Sequence, residues 1–170
     1  MRYLIRIETS NRELYARLHP ADCSFDRRLG CIRTLKRLGY VTGTGVMIGL
    51  PGQTLDDLAN DIVFYGEENV DMVGMGPYIP HCDTPLAMLA AKGAQRGRKE
   101  TLDLGLKMIA LTRLYLHGVN IVAATALEAL GPQGREKGLA AGANVIMPGL
   151  TPARHAADYA LYPHAFASPT

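Results

Sequence analysis

Arg6 and Glu8 are the first residues that could do chemistry. They stand two apart in the run Tyr3-Leu-Ile-Arg-Ile-Glu8, and that spacing sends both side chains to one side of a strand. An opposed charge pair facing an interior is costly unless it binds something or is satisfied internally, and both readings are open. Arg28 falls in the first turn of an expected helix, where a cation opposes the helix dipole; it is either a ligand contact or a solvated surface arginine. The run Gly45-Val-Met47-Ile-Gly49-Leu-Pro-Gly-Gln53 puts glycines where a strand turns into a helix. Such a turn lets the backbone approach a flat or charged ligand. It is neither a Walker loop nor a GxGxxG fingerprint. His81, Cys82 and Asp83 are consecutive, so their side chains diverge, and no second ligand cluster accompanies them. No metal site is assigned there; Asp83-Thr84-Pro85 suits a turn closed by side chain to backbone bonds. Met72, Met75 and Met147 read as core fillers, and Tyr159 and Tyr162, three apart, share a face if helical. No residue is singled out as catalytic.

Composition narrows the class. The chain has 170 residues, 48% of them apolar and 20% charged, with a formal net charge of +2. That is the profile of an ordinary globular domain. The weak, scattered charge gives no case for nucleic acid or a membrane surface. No apolar run approaches the roughly 20 residues that span a bilayer, and the alternating N-terminus is unlike a signal peptide; the cytoplasm is expected. Three cysteines, Cys23, Cys31 and Cys82, are spaced too widely for a zinc or iron–sulfur cluster and are odd in number, against a disulfide framework.

Hydrophobic patterning gives five strands: Tyr3–Glu8, Val41–Gly49, Asp71–Tyr78, Asn120–Ala126 and Asn144–Met147. Helical segments separate them. Ser24 caps one whose apolar positions are Phe25, Leu29, Ile32, Leu35 and Leu38. Thr54 caps another, with Asp56 and Asp57 in its first turn and Leu55, Leu58, Ile62 and Tyr65 as its buried stripe. A long helix ends near Leu116 with apolar residues on more than one face, and a short one begins near Gly134. Alternating β and α units predict a parallel sheet with right-handed crossovers. Polar and special residues gather where the strands end (Glu8-Thr9, Gly49-Leu-Pro-Gly, Pro80-His81, Thr125, Met147-Pro148), as at the mouth of a (β/α) barrel. A closed barrel needs about 250 residues, so the fold class is α/β, a partial TIM-type barrel of about five parallel strands with outer helices. Residues 1–150 form the barrel part and 151–170 a tail packing at its mouth.

Taken together and in order, Arg6-Ile-Glu8-Thr9, Leu18-His19-Pro20, Ser24-Phe25-Asp26-Arg27-Arg28-Leu29, Gly49-Leu-Pro-Gly-Gln-Thr54, Gly74-Met-Gly-Pro-Tyr-Ile-Pro-His81, Asp83-Thr-Pro-Leu86 and Asn144-Val-Ile-Met-Pro148 resemble the HydE family of [FeFe]-hydrogenase maturases, in the radical-SAM superfamily. Biotin synthase and methylornithine synthase are more distant relatives. The resemblance covers essentially the whole chain and implies the fourth to eighth strands of a radical-SAM barrel. It implies reductive cleavage of S-adenosylmethionine during assembly of the hydrogenase H-cluster, or a related small-molecule radical-SAM reaction. Family members hold a [4Fe–4S] cluster through a CxxxCxxC loop that this chain lacks. A catalytically incomplete half-barrel, partnered by the N-terminal half or by other hydrogenase maturases, is therefore also implied. By motif, Arg6, Glu8, Arg28, Met47 and Gly49 correspond to positions on the S-adenosylmethionine side, with Gln53 where many radical-SAM proteins have Glu. Met72, Thr125, Met147, Tyr159 and Tyr162 correspond to positions lining the cavity for a small-molecule substrate.

Overall fold

In a computed structural model of the chain, residues 1–81, 83–91, 96–148, 151–152 and 154–155 are described. Strands and helices alternate: β1 (Arg2–Leu4), α1 (Arg12–Leu18), α2 (Phe25–Arg37), β2 (Val41–Thr44), β3 (Met47–Ile48), α3 (Leu55–Glu67), β4 (Met72–Val73), β5 (Gly76–Pro77), α4 (Pro85–Ala91), α5 (Arg98–Tyr115), β6 (Asn120–Ala123), α6 (Thr125–Leu130), α7 (Gly134–Ala140) and β7 (Val145–Ile146). Five strands form one parallel sheet in the order β1-β2-β4-β6-β7, and β3 and β5 form a separate parallel pair. This is the expected half-barrel of five parallel strand lines.

The register separates the two faces of the sheet. Leu4, Gly43, Met72 and Asn120 are successive partners across four strands, so their side chains share one face. A Cβ at Gly43 would meet the side chains of Leu4 and Met72. On the opposite face Thr42, Thr44, Val73 and Ile121 are wholly buried. They belong with Ile32, Leu58, Tyr65, Met108, Ile109 and Leu127 from the helices to the core. A single helix layer therefore covers one face, as alternating β/α order requires.

Two expected strands are broken rather than continuous. The second line pauses between β2 and β3 and the third between β4 and β5, where Gly45 lies against Gly74. A Cβ on Gly45 would stand 2.1 Å from the Gly74 carbonyl oxygen. Backbone pairing nevertheless runs on in the same register, with Gly74 N–H donating to Thr44 O at 2.8 Å, Gly76 N–H to Val46 O at 3.3 Å and Tyr78 N–H to Ile48 O at 2.8 Å, so the β3-β5 pair prolongs the β2-β4 pair. The first line survives past this point only as a bridge between Glu8 and Val46.

Other boundaries also differ from the sequence reading. The fourth strand ends at Ala123, and Thr125 opens α6 instead of ending a strand. Helices α1, α4 and α6 were not anticipated. Their segments are short, seven, seven and six residues, and offer little periodicity. Leu55 and Leu38, expected in buried stripes, are exposed, as are Leu111 and Leu114 on α5; the latter two leave the outer side of that helix less packed than its composition suggested. The helix caps are as read: Ser24 Oγ accepts from Arg27 N–H, and Thr54 and Asp57 form a reciprocal capping box. Among the described residues, no helix is long and apolar enough to cross a membrane.

A methyl group at residue 45 must displace backbone, not a flexible side-chain tip. Gly45→Ala is expected to destabilise the chain by about 2–3 kcal/mol, at the upper end of overpacking penalties. Urea denaturation checks this, and a midpoint equal to that of the parent would show that the two strands can part at little cost.

Candidate functional site

The site lies past the contact of Gly45 with Gly74, where the first strand line ends. Glu8 adopts a left-handed backbone, φ 69°, which is uncommon for a residue with a Cβ. Neighbouring backbone holds it there: its N–H donates to Gly45 O at 3.0 Å, and its carbonyl accepts from Met47 N–H at 2.9 Å. Arg6 reaches across the same point. Its Nη2 donates to Val46 O at 2.7 Å and stands 3.2 Å from Glu8 Oε2. Arg28, arriving from the first turns of α2, donates through Nη1 to the carbonyl of Arg6 at 3.0 Å. The three charged residues chosen from the sequence are thus gathered within one cluster.

This cluster is incompletely satisfied. Glu8 Oε2 and Arg6 Nε are buried and, among the described residues, make no hydrogen bond. Burial raises the Glu8 carboxyl above the ordinary range, against the pull of Arg6, then His19 and Arg28. Two arginines and a 3.2 Å contact would by themselves lower it; desolvation outweighs that attraction. A largely buried carboxylate whose Oε2 has an ion-pair contact but no hydrogen bond, beside an arginine Nε that has none either, fits a polar ligand offering both hydrogen-bond donors and acceptors.

Gln53 closes the glycine turn. Its Oε1 accepts from Gly49 N–H at 2.7 Å and Leu50 N–H at 3.2 Å, while Nε2 donates to Met47 O at 3.0 Å. Gly49 has φ 87°, a conformation only glycine adopts without strain. The Gly49 amide is consumed by Gln53, so what Gly49 can offer a ligand is close backbone approach.

A group that the sequence reading missed lies immediately behind Glu8. Asp57 and Asp61, one turn apart on α3, grip the segment that leaves it. Asp57 Oδ1 accepts from Asn11 Nδ2 at 2.7 Å, and its Oδ2 accepts from the N–H and hydroxyl of Thr54. Asp61 Oδ1 accepts from both Ser10 N–H and Ser10 Oγ, each at 2.6 Å. The Thr54 backbone bond, followed by Asn11, draws the Asp57 carboxyl below its usual value. Asp61 is wholly enclosed, and burial pushes its carboxyl up to about 7 despite the Ser10 bonds. Tyr65, a further turn along, is also enclosed, and burial, then Asp61, raises its phenol well above the ordinary value. A detectable signal was present: Asp61 is a carboxylate inside the apolar stripe Leu58, Ile62, Tyr65, where a charge needs a reason.

The cavity candidates are more dispersed. Met72 is half-buried on the Leu4–Gly43–Asn120 face. Thr125 is exposed at the start of α6, and its hydroxyl accepts from Arg135 Nη2 at 3.4 Å. Met147, just past β7, is exposed. Tyr159 and Tyr162 lie outside the described residues, as does Cys82; Cys23 and Cys31 are free and exposed. Among the described residues, no group of three His, Cys, Asp or Glu could hold a metal ion. The described residues therefore do not fit an iron–sulfur cluster.

Comparison with known proteins follows from this geometry. No protein-family model matches the chain. It is 52% identical over 162 residues to the [FeFe] hydrogenase maturase subunit HydE of Thermotoga maritima, across 95% of this chain and 44% of that protein. Over that segment the chain is similar to HydE. It spans less than half the length of that curated relative. Methylornithine synthase (PylB) superposes with a TM-score of 0.69 at 28% identity, over 84% of this chain and 39% of the synthase. This likeness places the HydE-type half-barrel among radical-SAM barrels, whose members generally use S-adenosylmethionine and a [4Fe–4S] cluster.

Two substitutions probe how the site is held. Gln53→Glu keeps an acceptor for Gly49 and Leu50 but loses the donor to Met47 O, leaving two buried oxygens facing each other. A loss of about 1–3 kcal/mol is expected, measured by chemical denaturation; unchanged stability would mean that Met47 O finds another donor.

For Asp61 the sign follows from its raised carboxyl. The folded chain holds this proton more tightly than the unfolded chain. Its stabilising contribution is complete below the ordinary carboxylate range and is lost as pH rises through about 7. Asp61→Asn cannot titrate. Thermal melts should therefore show the variant gaining on the parent between pH 5 and pH 8, and a constant difference across that range would exclude the buried titration.

Proposed function

We propose that this HydE-type segment supplies one wall of an S-adenosylmethionine site, in an enzyme that cleaves this cofactor reductively during assembly of the [FeFe]-hydrogenase H-cluster. The observation that carries the reading is the largely buried Glu8 carboxylate, held by a left-handed turn at a strand end, with Oε2 at 3.2 Å from Arg6 Nη2 and, among the described residues, without a hydrogen bond. The 52% identity to HydE supports the maturase assignment over the methylornithine synthase type, at 28%.

In this reading Glu8 accepts from the hydroxyls or ammonium of S-adenosylmethionine, and Arg6 and Arg28 balance its carboxylate. Gly49 and Met47 bring backbone against the nucleoside. Met72, Thr125 and Met147 face a small-molecule substrate. When bound, the cofactor supplies the radical chemistry; this chain's residues orient it and limit its access to water. The cluster that reduces S-adenosylmethionine in the family finds no ligand set among the described residues, and no step is assigned to it here. Its ligands belong in this reading to the rest of the barrel, which is the partner we infer.

Calorimetric titration of the 170-residue chain with S-adenosylmethionine tests the proposal without any cluster. One-site saturable binding is expected, weakened about tenfold or more by Glu8→Gln, a loss of about 1.4 kcal/mol or greater. Absence of saturation, or equal affinity in the variant, would remove Glu8 from the ligand.

A further inference from the structure

The left-handed turn at Glu8 needs support from both sides, since a conformation of this kind persists only where its surroundings over-determine it. On the strand side Gly45 and Met47 provide that support. On the exit side the first residue with free choice is Ser10, and both of its polar donors, N–H and Oγ, end on a single oxygen, Asp61 Oδ1, at 2.6 Å. Asn11 follows, with its side-chain amide on Asp57 Oδ1 at 2.7 Å. Thr9, between Glu8 and Ser10, is wholly buried, and its hydroxyl accepts from Asn11 N–H at 3.2 Å. Asp61 itself touches none of the residues assigned to the ligand. It is fully enclosed on the core face of α3, and Oδ2 has no hydrogen-bond partner among the described residues. A helix rarely places a carboxyl there without a task.

We propose that Asp61 is a positioning residue, which acts through Ser10 to fix the turn of Glu8 and so aim the Glu8 carboxylate at the ligand. The inference rests on the reading of Glu8 as an S-adenosylmethionine contact and adds to it a residue on another element that sets its geometry. What the position requires is an acceptor oxygen for Ser10. Asn should therefore serve nearly as well as Asp, whereas Ala should not.

The test uses the full 170-residue chain and two measurements. The first is amide hydrogen exchange without ligand. Asp61→Ala should raise exchange across residues 7–11 by about tenfold or more, leaving the β6–α6 region at parental rates, because local opening tracks lost local support. The second is calorimetric affinity for S-adenosylmethionine, which Asp61→Ala should weaken by about tenfold. Asp61→Asn should return both to within about twofold of the parent; a general structural defect would not be rescued in this paired way. Should Asp61→Ala fail to give a cooperative melt, Ser10→Ala, which loses only the hydroxyl bond, carries the same readouts at smaller amplitude.

Unchanged exchange at 7–11 in a folded Asp61→Ala overturns the positioning role. So does failure of Asn to rescue. A parent chain that binds no S-adenosylmethionine overturns the ligand assignment and the aiming of Glu8 at it, while exchange still decides whether Asp61 holds the turn.

Discussion

The near-contact of Gly45 with Gly74 fixes how closely the two central strand lines approach. No side chain fits at residue 45, yet the hydrogen bonds between the lines carry on past it in one register, and the short β3-β5 pair prolongs the five-stranded body. The first line departs from its register here: Leu4 pairs with Gly43 but Glu8 with Val46, which leaves Glu8 at a left-handed bend bonded to both Gly45 and Met47.

Electrostatics at that bend are set by burial more than by pairing. Glu8 has arginines on two sides and a carboxyl that still titrates high; Asp61 accepts two short hydrogen bonds and is raised further. Asp57 lies nearer the surface and is drawn down, because desolvation weighs less there and its bonds come from a helix N-terminus and an amide that together satisfy both oxygens. The contrast between two carboxylates one turn apart follows first from burial, which is complete at Asp61. Buried atoms without a hydrogen bond among the described residues recur at Glu8 and Arg6, around the bend that the proposed ligand would occupy.

Much of this was legible in the sequence, for identifiable reasons. Alternation of β and α segments dictates a parallel sheet, and the polar residues Arg6, Glu8 and Arg28 betray themselves by standing where apolar or acidic residues are expected. The helix starts at Ser24 and Thr54 are local chemistry, readable from four residues. The close approach of the second and third strand lines was not readable, since it depends on two glycines 29 positions apart in the chain meeting in space. Thr125 was misplaced because a strand and a short following helix look alike when both are small and apolar. The grip of α3 on residues 10 and 11 is a long-range match of side chains whose individual types, Ser, Asn and Asp, are as common in plain turns.

Asn11 is bound at both ends of its side chain. Its oxygen accepts from Glu13 and Leu14 N–H groups at the start of α1, and its amide nitrogen donates to Asp57, which completes the start of α3. Two helices remote in sequence therefore begin on one shared amide. Neither can unwind its first turn without releasing a bond that the other uses, so fraying of either becomes a joint event. In energetic language the first turns of α1 and α3 are coupled, and the bend at Glu8, just ahead of α1 in the chain, adjoins that joint.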